Sequence, residues 1–459
     1  MRGPGRYDVR DRQGGVAVDG LEEFCTGVLQ RHGCASVSVA VVERDEVVLA
    51  EAYGLADRET GRAATADTVY GLASITKPLT ATAVCAAADE GVLDLDAPLP
   101  GEFGGAAPPS IRQTLQHRGG FGGHYDWRYA GDGDRDPAVP AIPTSWYAGH
   151  LYRAPGSGFE YANLGYRALG SLLGDLDRQI RVQVAEPLGL SSLRVGDTYP
   201  GPAPAAVRHA ADGRAYPVCR SGHPAATAAW ASASDVALFA QNCARLLTPS
   251  TAAAVYDAPP VGPAQGYGLG WSVSTGAGPL LYSHSGSMGG VANMVVRIPE
   301  RERAVAVLTN STGKAARDAI LHHVLDRVAP GFDPAGLSAI PATGRAATLA
   351  EGGWTGRIVT REGDIPLRID VLADRRIEVR LDGAGTAAAP IEASADWDLR
   401  ALVPLQLPTA DARIDSPLLV LELALRKGRL TGAARAVTSG EGTGWLGNYL
   451  SHPCELIGN

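Results

Sequence analysis

Residues 292–308 read Ala-Asn-Met-Val-Val-Arg-Ile-Pro-Glu-Arg-Glu-Arg-Ala-Val-Ala-Val-Leu, two apolar runs rich in β-branched residues around a polar turn. This pattern predicts a pair of antiparallel strands. A second pair is predicted near the other end of the chain, where Ser36-Val-Ser-Val-Ala-Val-Val and Glu46-Val-Val-Leu-Ala flank Glu-Arg-Asp. Because helical patterns fill the interval between the two pairs, we predict one antiparallel sheet assembled from both ends of an α+β domain, with a helical subdomain packed on it.

Helical patterns surround these strands. One face of residues 18–32 is apolar at helical spacing, and the pattern ends at Gly33. Further helices are predicted after Lys77, near 164–175, near 232–247 and over 315–328. A third strand is predicted over Leu269–Val273, and the glycine-, proline- and aromatic-rich stretch from about 100 to 160 is typical of long loops around a site.

The character of the sequence changes after residue 328. Residues 329–348 are rich in proline, glycine and alanine, and we interpret them as a linker. Beyond it, three strand-like runs begin at Ile365, Ile377 and Leu418. We therefore predict a first domain over 1–340, with its helical subdomain at about 75–240, and a C-terminal all-β barrel or sandwich over 345–459.

Composition excludes several classes of function. The chain has 459 residues, and 41 basic against 49 acidic residues give a net charge of −8. Such a balance provides no electrostatic reason to bind nucleic acid or an anionic membrane. The polar N-terminus lacks a secretory signal, and six scattered cysteines without a C-x-x-C pair favour reduced, buried thiols. We expect a cytoplasmic enzyme; its oligomeric state stays open.

Neither a cofactor nor a metal site is predicted. Asp132-Gly-Asp-Arg-Asp136 superficially matches a calcium loop, but Pro137 replaces the turn glycine that such a loop requires. We interpret this stretch as a solvated acidic loop. The neighbouring residues His322 and His323 point in different directions on a predicted helix, so they do not form a metal-binding pair.

Lysine is rare, and one lysine stands in a reactive pattern. Only Lys77, Lys314 and Lys427 occur. In Ser74-Ile-Thr-Lys77, at the start of a predicted helix, the i and i+3 side chains share a face, and the helix start favours negative charge on the serine oxygen. A nucleophile for acyl transfer needs these conditions. The second S-x-x-K match, Ser311 to Lys314, we interpret as a surface helix start.

Two further motifs follow Ser74-Ile-Thr-Lys77 in order, Tyr161-Ala-Asn163 and His284-Ser-Gly286. With them, residues 18–330 resemble the serine β-lactamase and penicillin-recognising enzyme superfamily, in its class C β-lactamase-like branch of peptidases, esterases and acyltransferases. That branch is marked by S-x-x-K, Y-x-N, and K-T-G or H-x-G. Tyr267-Gly-Leu-Gly-Trp271 also resembles this branch, whereas the β-rich tail lies outside the resemblance.

The resemblance implies a catalytic role for each motif residue. Ser74 attacks a carbonyl and becomes acylated, while Lys77 and Tyr161 share its proton. Asn163 holds the substrate and fixes the Lys77 side chain. His284 supports the Tyr161 hydroxyl or a substrate carboxylate.

The resemblance also implies binding groups around the nucleophile. The backbone N–H groups of Ser74 and Ser287 form an oxyanion hole, and Gly286 lies in the substrate-binding strand. Apart from the resemblance, the aromatic residues near this region are candidates to line a substrate pocket: Trp127, Tyr129, Trp146, Tyr147 and Tyr152. In the competing interpretation they pack the helical subdomain.

Two expectations concern the chemistry of the site. Because Lys77 lies against Tyr161, we expect each to lower the pKa of the other. The chain also departs from the family, since His117-Arg-Gly-Gly-Phe-Gly-Gly-His124 stands where members have His-Thr-Ser-Gly-Leu. The added glycines predict a different, mobile loop beside the site.

The predicted function is cleavage of a small-molecule ester or amide through an acyl-enzyme on Ser74. Two outcomes stay open: hydrolysis, or transfer of the acyl group to an amine or alcohol. A dedicated transacylase of natural-product biosynthesis is one alternative. A catalytically silent binding protein on the same fold is the alternative from another class.

Overall fold

A computed structural model describes residues 20–459 except 104–105, 130–148, 338–348, 395–396, 410–411, 413–415, 438–439, 442–444 and 448. The strands before residue 310 are β1 (Ser36–Glu43), β2 (Glu46–Asp57), β3 (Arg62–Ala63), β4 (Tyr70–Gly71), β5 (Trp127–Tyr129), β6 (Arg194–Val195), β7 (Cys219–Ser221), β8 (Ala229–Ala231), β9 (Pro260–Gly262), β10 (Gln265–Tyr267), β11 (Ser272–Ser274), β12 (Tyr282–Met288), β13 (Val291–Ile298) and β14 (Arg303–Thr309). The helices are α1 (Leu21–His32), α2 (Thr76–Asp89), α3 (Ile111–Leu115), α4 (Asn163–Leu173), α5 (Leu176–Ile180), α6 (Glu186–Leu188), α7 (Pro224–Thr227), α8 (Ala233–Asn242), α9 (Pro249–Val255) and α10 (Lys314–Val328).

One nine-stranded antiparallel sheet joins the two ends of the first domain, in the order β3-β2-β1-β14-β13-β12-β11-β10-β9. The register of β1 against β14 runs from Val37 opposite Thr309 to Glu43 opposite Arg303. The predicted sheet is therefore confirmed, including its assembly from both ends of the domain.

The sheet is covered on both faces because its central strands are apolar on both. Val37, Val39 and Val41 of β1 pack with α1 and α10, whereas Ala40 and Val42 of the same strand face α8 and the helical subdomain. This alternation follows from the two-residue period of a strand. The helices between β4 and β9 form the second layer, on the face of the sheet that carries Ala40 and Val42.

The C-terminal domain is an antiparallel barrel rather than a sandwich. Its strands are β15 (Gly352–Thr360), β16 (Gly363–Val371), β17 (Arg376–Leu381), β18 (Gly385–Pro390), β19 (Leu399–Val403), β20 (Leu418–Arg426), β21 (Arg429–Val437) and β22 (Leu450–Gly458). They follow the order β18-β17-β16-β15-β22-β21-β20-β19. The two ends of this sheet approach each other through the Glu392 N–H, which donates to the Arg400 carbonyl at 2.8 Å, so the sheet is nearly closed around its own core.

A short strand pairing joins the barrel to the first domain. Tyr125 and Tyr449 exchange backbone hydrogen bonds of 2.7 and 3.0 Å, just before β22 begins. The chain therefore returns from the barrel to the helical subdomain.

The strand predicted over Leu269–Val273 is displaced. A turn separates β10 from β11, with Gly270 at a φ of 86° and the Gly268 N–H donating to the Trp271 carbonyl at 2.8 Å. Leu269 and Trp271 are both buried by the core, which accounts for the apolar pattern without a strand.

Two further sequence expectations concern cysteines and the linker. All six cysteines are buried and free of disulfides, as predicted. Most of the predicted linker, residues 338–348, lies outside the described residues, and the Gly336 carbonyl before it accepts a hydrogen bond of 2.7 Å from Gln265. In the described part of the chain, no helix is long and apolar enough to cross a membrane.

We predict that Ile320→Ala destabilises the protein by about 2–5 kcal/mol, because Ile320 is fully buried between α10 and the sheet and its loss leaves a cavity. Denaturant unfolding measures the effect. Leu425→Ala, at a side chain that is 45% exposed on the barrel, is the control and should change stability by less than about 1 kcal/mol. Equal losses in the two variants would contradict this placement of the core.

Candidate active site

Ser74 lies in a tight turn, Ala73–Ile75, that leads directly into α2. The preceding residue, Ala73, has a φ of 47°, a left-handed conformation that is costly for a residue with a Cβ. Thr76 stabilises the turn, since its hydroxyl donates to the Ala73 carbonyl at 2.7 Å and accepts from the Ala229 N–H at 2.9 Å. The backbone is thus held in a strained form that points the serine toward the cleft beside β12.

Lys77 lies one helical turn further on and is fully buried. Its Nζ is 3.1 Å from Ser74 Oγ and 3.2 Å from the Ala226 carbonyl oxygen. Burial lowers its pKa well below the ordinary value of 10.5, because the protein interior disfavours the ammonium form. The lowered lysine pKa agrees in direction with the sequence expectation, although its largest cause is desolvation rather than the tyrosine.

Tyr161 lies over the amine, with its ring centroid 4.5 Å from Lys77 Nζ. The expected lowering of the tyrosine pKa is wrong. Burial raises the pKa of Tyr161 well above 10, the electrostatic influence of Tyr267 and Tyr125 adds to that, and a hydrogen bond with Ser74 only partly offsets it. A buried phenolate would need an ammonium beside it, and Lys77 is itself driven to its neutral form. Burial therefore favours the uncharged form of both groups, the amine of Lys77 and the phenol of Tyr161.

Asn163 is the first residue of α4 and is buried beside this pair. Its Nδ2 donates to the His124 carbonyl at 2.8 Å, and its Oδ1 has no hydrogen-bond partner among the described residues. Among the described contacts, the expected direct hold of Asn163 on Lys77 is not seen, and the Lys77 Nζ donates instead to the Ala226 carbonyl at 3.2 Å.

His284 lies on β12, across the cleft from Tyr161, with 6.3 Å between the ring centroids. Its Nδ1 is 2.8 Å from the Ser285 carbonyl oxygen, and its Nε2 is 3.0 Å from the Tyr267 hydroxyl. Burial, with a smaller effect of Lys77, lowers its pKa to about 3. An uncharged imidazole provides no cation for a substrate carboxylate, and its observed partner is Tyr267 rather than Tyr161.

Ser287 follows three residues after His284, on the strand that runs beside the nucleophile turn. Gly286 makes this approach possible, since a Cβ there would lie 2.1 Å from the Leu72 carbonyl oxygen. On one side β12 pairs with β13, but on the other side β11 covers only Tyr282 and Ser283. Among the described strands, the stretch from His284 to Met288 thus has an edge open toward the cleft.

His117 forms the floor of an aromatic enclosure. Its ring lies 4.3 Å from Tyr161, 5.0 Å from Tyr166 and 4.9 Å from Tyr267, measured between centroids. Its Nδ1 accepts from the Ala162 N–H at 3.1 Å, which leaves the proton on Nε2. Burial holds the His117 pKa well below 6.5, so the ring is neutral and positions the backbone beside Tyr161.

The glycine-rich segment 117–124 is tightly packed, contrary to the expected mobile loop. A Cβ on Gly120, whose φ is 85°, would lie 2.3 Å from the Arg153 carbonyl oxygen. A Cβ on Gly123 would lie 2.8 Å from Arg435 Nη1 of the barrel. The glycines therefore permit close approach of neighbouring segments.

Trp127 and Tyr129 lie behind the nucleophile turn rather than on an open surface. Both are buried on β5 in a cluster that includes Ala73 and Met288. Their packing agrees with the competing interpretation made from the sequence, and their role in substrate binding stays a prediction. Trp146, Tyr147 and the acidic stretch 132–136 lie outside the described residues.

Sequence reasoning missed three groups of the site: the Ala226 carbonyl, the Tyr267 hydroxyl and His117. A carbonyl carries no sequence signal. Tyr267 was noted only within the Tyr267–Trp271 phrase, and His117 only as the start of a divergent loop. In the described part of the chain, no cluster of three or more metal-ligating side chains accompanies them.

The arrangement suits proton transfer from a hydroxyl to an amine. A neutral Lys77 has a lone pair within hydrogen-bonding distance of Ser74 Oγ, and a phenol lies beside both. The second S-x-x-K serine, Ser311, has no such surroundings, because its hydroxyl accepts from the Ala35 N–H at 2.9 Å.

Two comparisons of sequence identify relatives. Residues 21–329 match the profile of the Beta-lactamase family. Esterase EstB of Burkholderia gladioli is 34% identical over 182 residues, which are 33% of this chain and 45% of that esterase. The match thus spans less than half the length of this curated relative.

Solved structures share the fold at low identity. SurE with D-Leu superposes with a TM-score of 0.63 at 21% identity, over 91% of this chain and 97% of SurE. An octameric penicillin-binding protein homologue from Pyrococcus abyssi gives 0.57 at 19% identity, over 95% of this chain and 99% of the other. EstCE1, described as a hydrolase with promiscuous acyltransferase activity, gives 0.53 at 20% identity, over 66% of this chain and 99% of that protein.

We predict that Gly286→Ala slows modification of Ser74 by a fluorophosphonate on the order of a hundredfold, because the new Cβ forces β12 away from the nucleophile turn. Intact mass against time measures the rate. Gly313→Ala, where a Cβ meets no heavy atom within 4 Å, is the matched control and should react like the parent protein. Equal rates in both variants would show that the approach of β12 is unimportant.

Proposed function

The chain belongs to the beta-lactamase family, and from this premise we propose that it is a serine enzyme that cleaves a small-molecule ester or amide through an acyl-enzyme on Ser74. One observation carries the proposal: Lys77 Nζ lies 3.1 Å from Ser74 Oγ in a site that buries both side chains. Burial lowers the pKa of Lys77 and so favours the neutral amine, the form that acts as a base.

Acylation begins with transfer of the Ser74 proton to the Lys77 lone pair. The serine oxygen attacks the carbonyl carbon, and the oxyanion is stabilised by the backbone N–H groups of Ser74 and Ser287. Tyr161 then gives its proton to the leaving alcohol or amine and is reprotonated from Lys77, which returns to the neutral amine. No other proton donor is needed.

Deacylation uses the same groups in reverse. An incoming water, amine or alcohol gives its proton to the Lys77 and Tyr161 pair and attacks the acyl carbon, and Ser74 recovers its proton as it leaves. His284 holds Tyr267 against the aromatic enclosure rather than moving a proton, since its pKa of about 3 keeps it neutral. The Asn163 Oδ1 and the open edge of β12 are suited to bind an amide group of the substrate.

Hydrolysis is the outcome that the relatives favour, since EstB is named an esterase. Transfer to an amine or alcohol is the second candidate. It is favoured by the enclosure of the nucleophile, because Ser74 is only 6% exposed and Lys77 is not exposed at all, which limits the water near the acyl group. We also propose that the protein lies in the class C β-lactamase-like branch. A dedicated transacylase role is a form of the second candidate.

A silent binding protein is the rival from another class. Loss of catalysis in a family member should leave at least one motif residue replaced or turned away from the serine. Here Ser74, Lys77 and Tyr161 are mutually in contact. The intact contacts support an enzyme.

We predict that a fluorophosphonate adds one phosphonyl group to the protein, observed as a single increment in intact mass. Ser74→Ala should abolish the increment, whereas Ser311→Ala, in the second S-x-x-K match, should retain it. A parent protein that stays unmodified would favour the binding protein.

The same approach separates hydrolase from transferase. Enzyme acylated by an activated ester is mixed with a series of amines and alcohols, and the free acid is compared with the amide or ester product. A product ratio that follows the acceptor concentration indicates transfer, and free acid alone indicates hydrolysis. Short esters and amino acid amides of both configurations then define the substrate class.

The dependence of acylation on pH tests the role of Lys77. Because only the neutral amine accepts the serine proton, the rate should fall on acidification as Lys77 becomes protonated. It should reach its plateau well below 10.5, the ordinary lysine value, since burial lowers the Lys77 pKa. His284→Gln should keep the same profile, because a histidine with a pKa of about 3 is already neutral. A rate that rises in proportion to hydroxide up to pH 10.5 would contradict a lowered lysine pKa.

A further inference from the structure

We propose that Arg435, in the C-terminal barrel, is a positioning residue for the catalytic tyrosine and acts through Glu160. The barrel then contributes to the active site, because its strand β21 determines the position of Tyr161. This inference rests on the proposed acyl-enzyme function and adds a residue outside the three motifs.

Glu160 immediately precedes Tyr161 and connects three segments. Its side chain is 10% exposed, and its Oε2 lies 3.2 Å from Arg153 Nε. Its Oε1 accepts from the Gly123 N–H at 3.3 Å and from Arg435 Nη2 in a close ion pair. Its backbone N–H donates to the His117 carbonyl at 2.8 Å. A shift of this carboxylate would therefore move the backbone that carries Tyr161.

Arg435 is the residue through which the barrel holds that carboxylate. Its side chain is only 6% exposed although β21 is otherwise small and apolar at this end. Besides Glu160, it pairs with Glu422 of β20 at 3.0 Å and donates to the Tyr449 hydroxyl at 2.8 Å. Two carboxylates and a phenol thus fix the guanidinium in one orientation. A planar guanidinium with several N–H donors can satisfy these three partners together, whereas the ammonium group of a lysine cannot.

The backbone pairing of Tyr125 with Tyr449 connects the position of Arg435 to that of Asn163. Tyr449, held by Arg435, exchanges two backbone hydrogen bonds with Tyr125, and the Ser451 hydroxyl donates to the Gly123 carbonyl. Between these contacts lies His124, whose carbonyl accepts from Asn163 Nδ2 at 2.8 Å. The barrel therefore holds both Tyr161 and the segment that anchors Asn163.

The chain offers a matched control within the barrel. Arg400 also pairs with Glu422, at 3.1 Å, and with Glu392, but its described contacts lie within the barrel. Replacing Arg400 removes a cation from the same carboxylate and leaves Glu160 untouched. Differences between the two arginine variants then report on the contact with the first domain.

The experiment compares Arg435→Gln with Arg400→Gln in the full chain. Phosphonylation of Ser74 by a fluorophosphonate and turnover of 4-nitrophenyl acetate are measured beside thermal unfolding. Arg435→Gln should lower the phosphonylation rate and kcat by on the order of ten- to a hundredfold with a smaller change in KM, because misplacement of Tyr161 affects proton transfer more than binding. Arg400→Gln should react like the parent protein.

Two further variants separate positioning from general stabilisation. Arg435→Lys keeps the charge but cannot reach Glu160, Glu422 and Tyr449 together, so it should restore the rate only in part. In combination, Arg435→Gln and Glu160→Gln should cost less than the sum of the two single changes, because both break the ion pair between Arg435 and Glu160. Where Arg435→Gln does not fold, Glu160→Gln is compared with Glu392→Gln, which breaks an ion pair inside the barrel.

The results separate a failure of the positioning role of Arg435 from a failure of the proposed acyl-enzyme function. A parent protein that the fluorophosphonate does not modify overturns the proposed function itself. A modified parent, with Arg435→Gln or Glu160→Gln reacting as fast as its control, overturns only the positioning role. A loss of rate that merely tracks a loss of folded protein overturns it as well.

Discussion

The desolvation of a single amine, Lys77, is the constraint on which the rest of this structure depends. In water the group would be an ammonium and useless as a base, and only complete burial favours the neutral form at ordinary pH. Neighbouring groups provide this burial. The Ala226 carbonyl accepts a hydrogen bond from Lys77 Nζ, and the rings of Tyr161 and Tyr166 cover the amine. The strained Ala73 then brings the serine oxygen within reach.

The same low-polarity environment determines what the neighbours can do. Three histidines near the site, His117, His124 and His284, are buried and neutral, since burial is the largest cause that lowers each of their pKa values. As neutral rings, His117 and His284 pack against the aromatic side chains of the site, and His117 also accepts a hydrogen bond from the Ala162 N–H. A charged imidazole in this position would oppose a protonated Lys77 during acylation. Burial likewise favours the phenol form of Tyr161. This form agrees with the proposed role, in which Tyr161 donates its proton to the leaving group and then receives a proton from Lys77.

Several features followed directly from the order of residues. The sheet built from both ends of the domain, the helix that ends at Gly33 and the all-β tail were predicted from periodicity and turn residues, and the structure confirms them and shows that the tail is a barrel and not a sandwich. The strand expected at Leu269–Val273 was misplaced because core burial and strand alternation give the same apolar pattern over so short a stretch. The tyrosine pKa was wrong in direction because spacing shows that two groups meet but not how much water surrounds them.

By itself, the sequence determined which groups are present and in what order: a serine and lysine one helical turn apart, a tyrosine before a helix, and a histidine on a strand. A spacing of three residues on a helix suffices to bring Ser74 and Lys77 together, so local geometry decided that contact. Only the tertiary structure decided the rest. Three contacts join residues that are up to 275 positions apart: Lys77 with the Ala226 carbonyl, Tyr267 with His284, and Arg435 with Glu160. Such contacts depend on how whole layers pack, and so does the desolvation that makes the lysine a base.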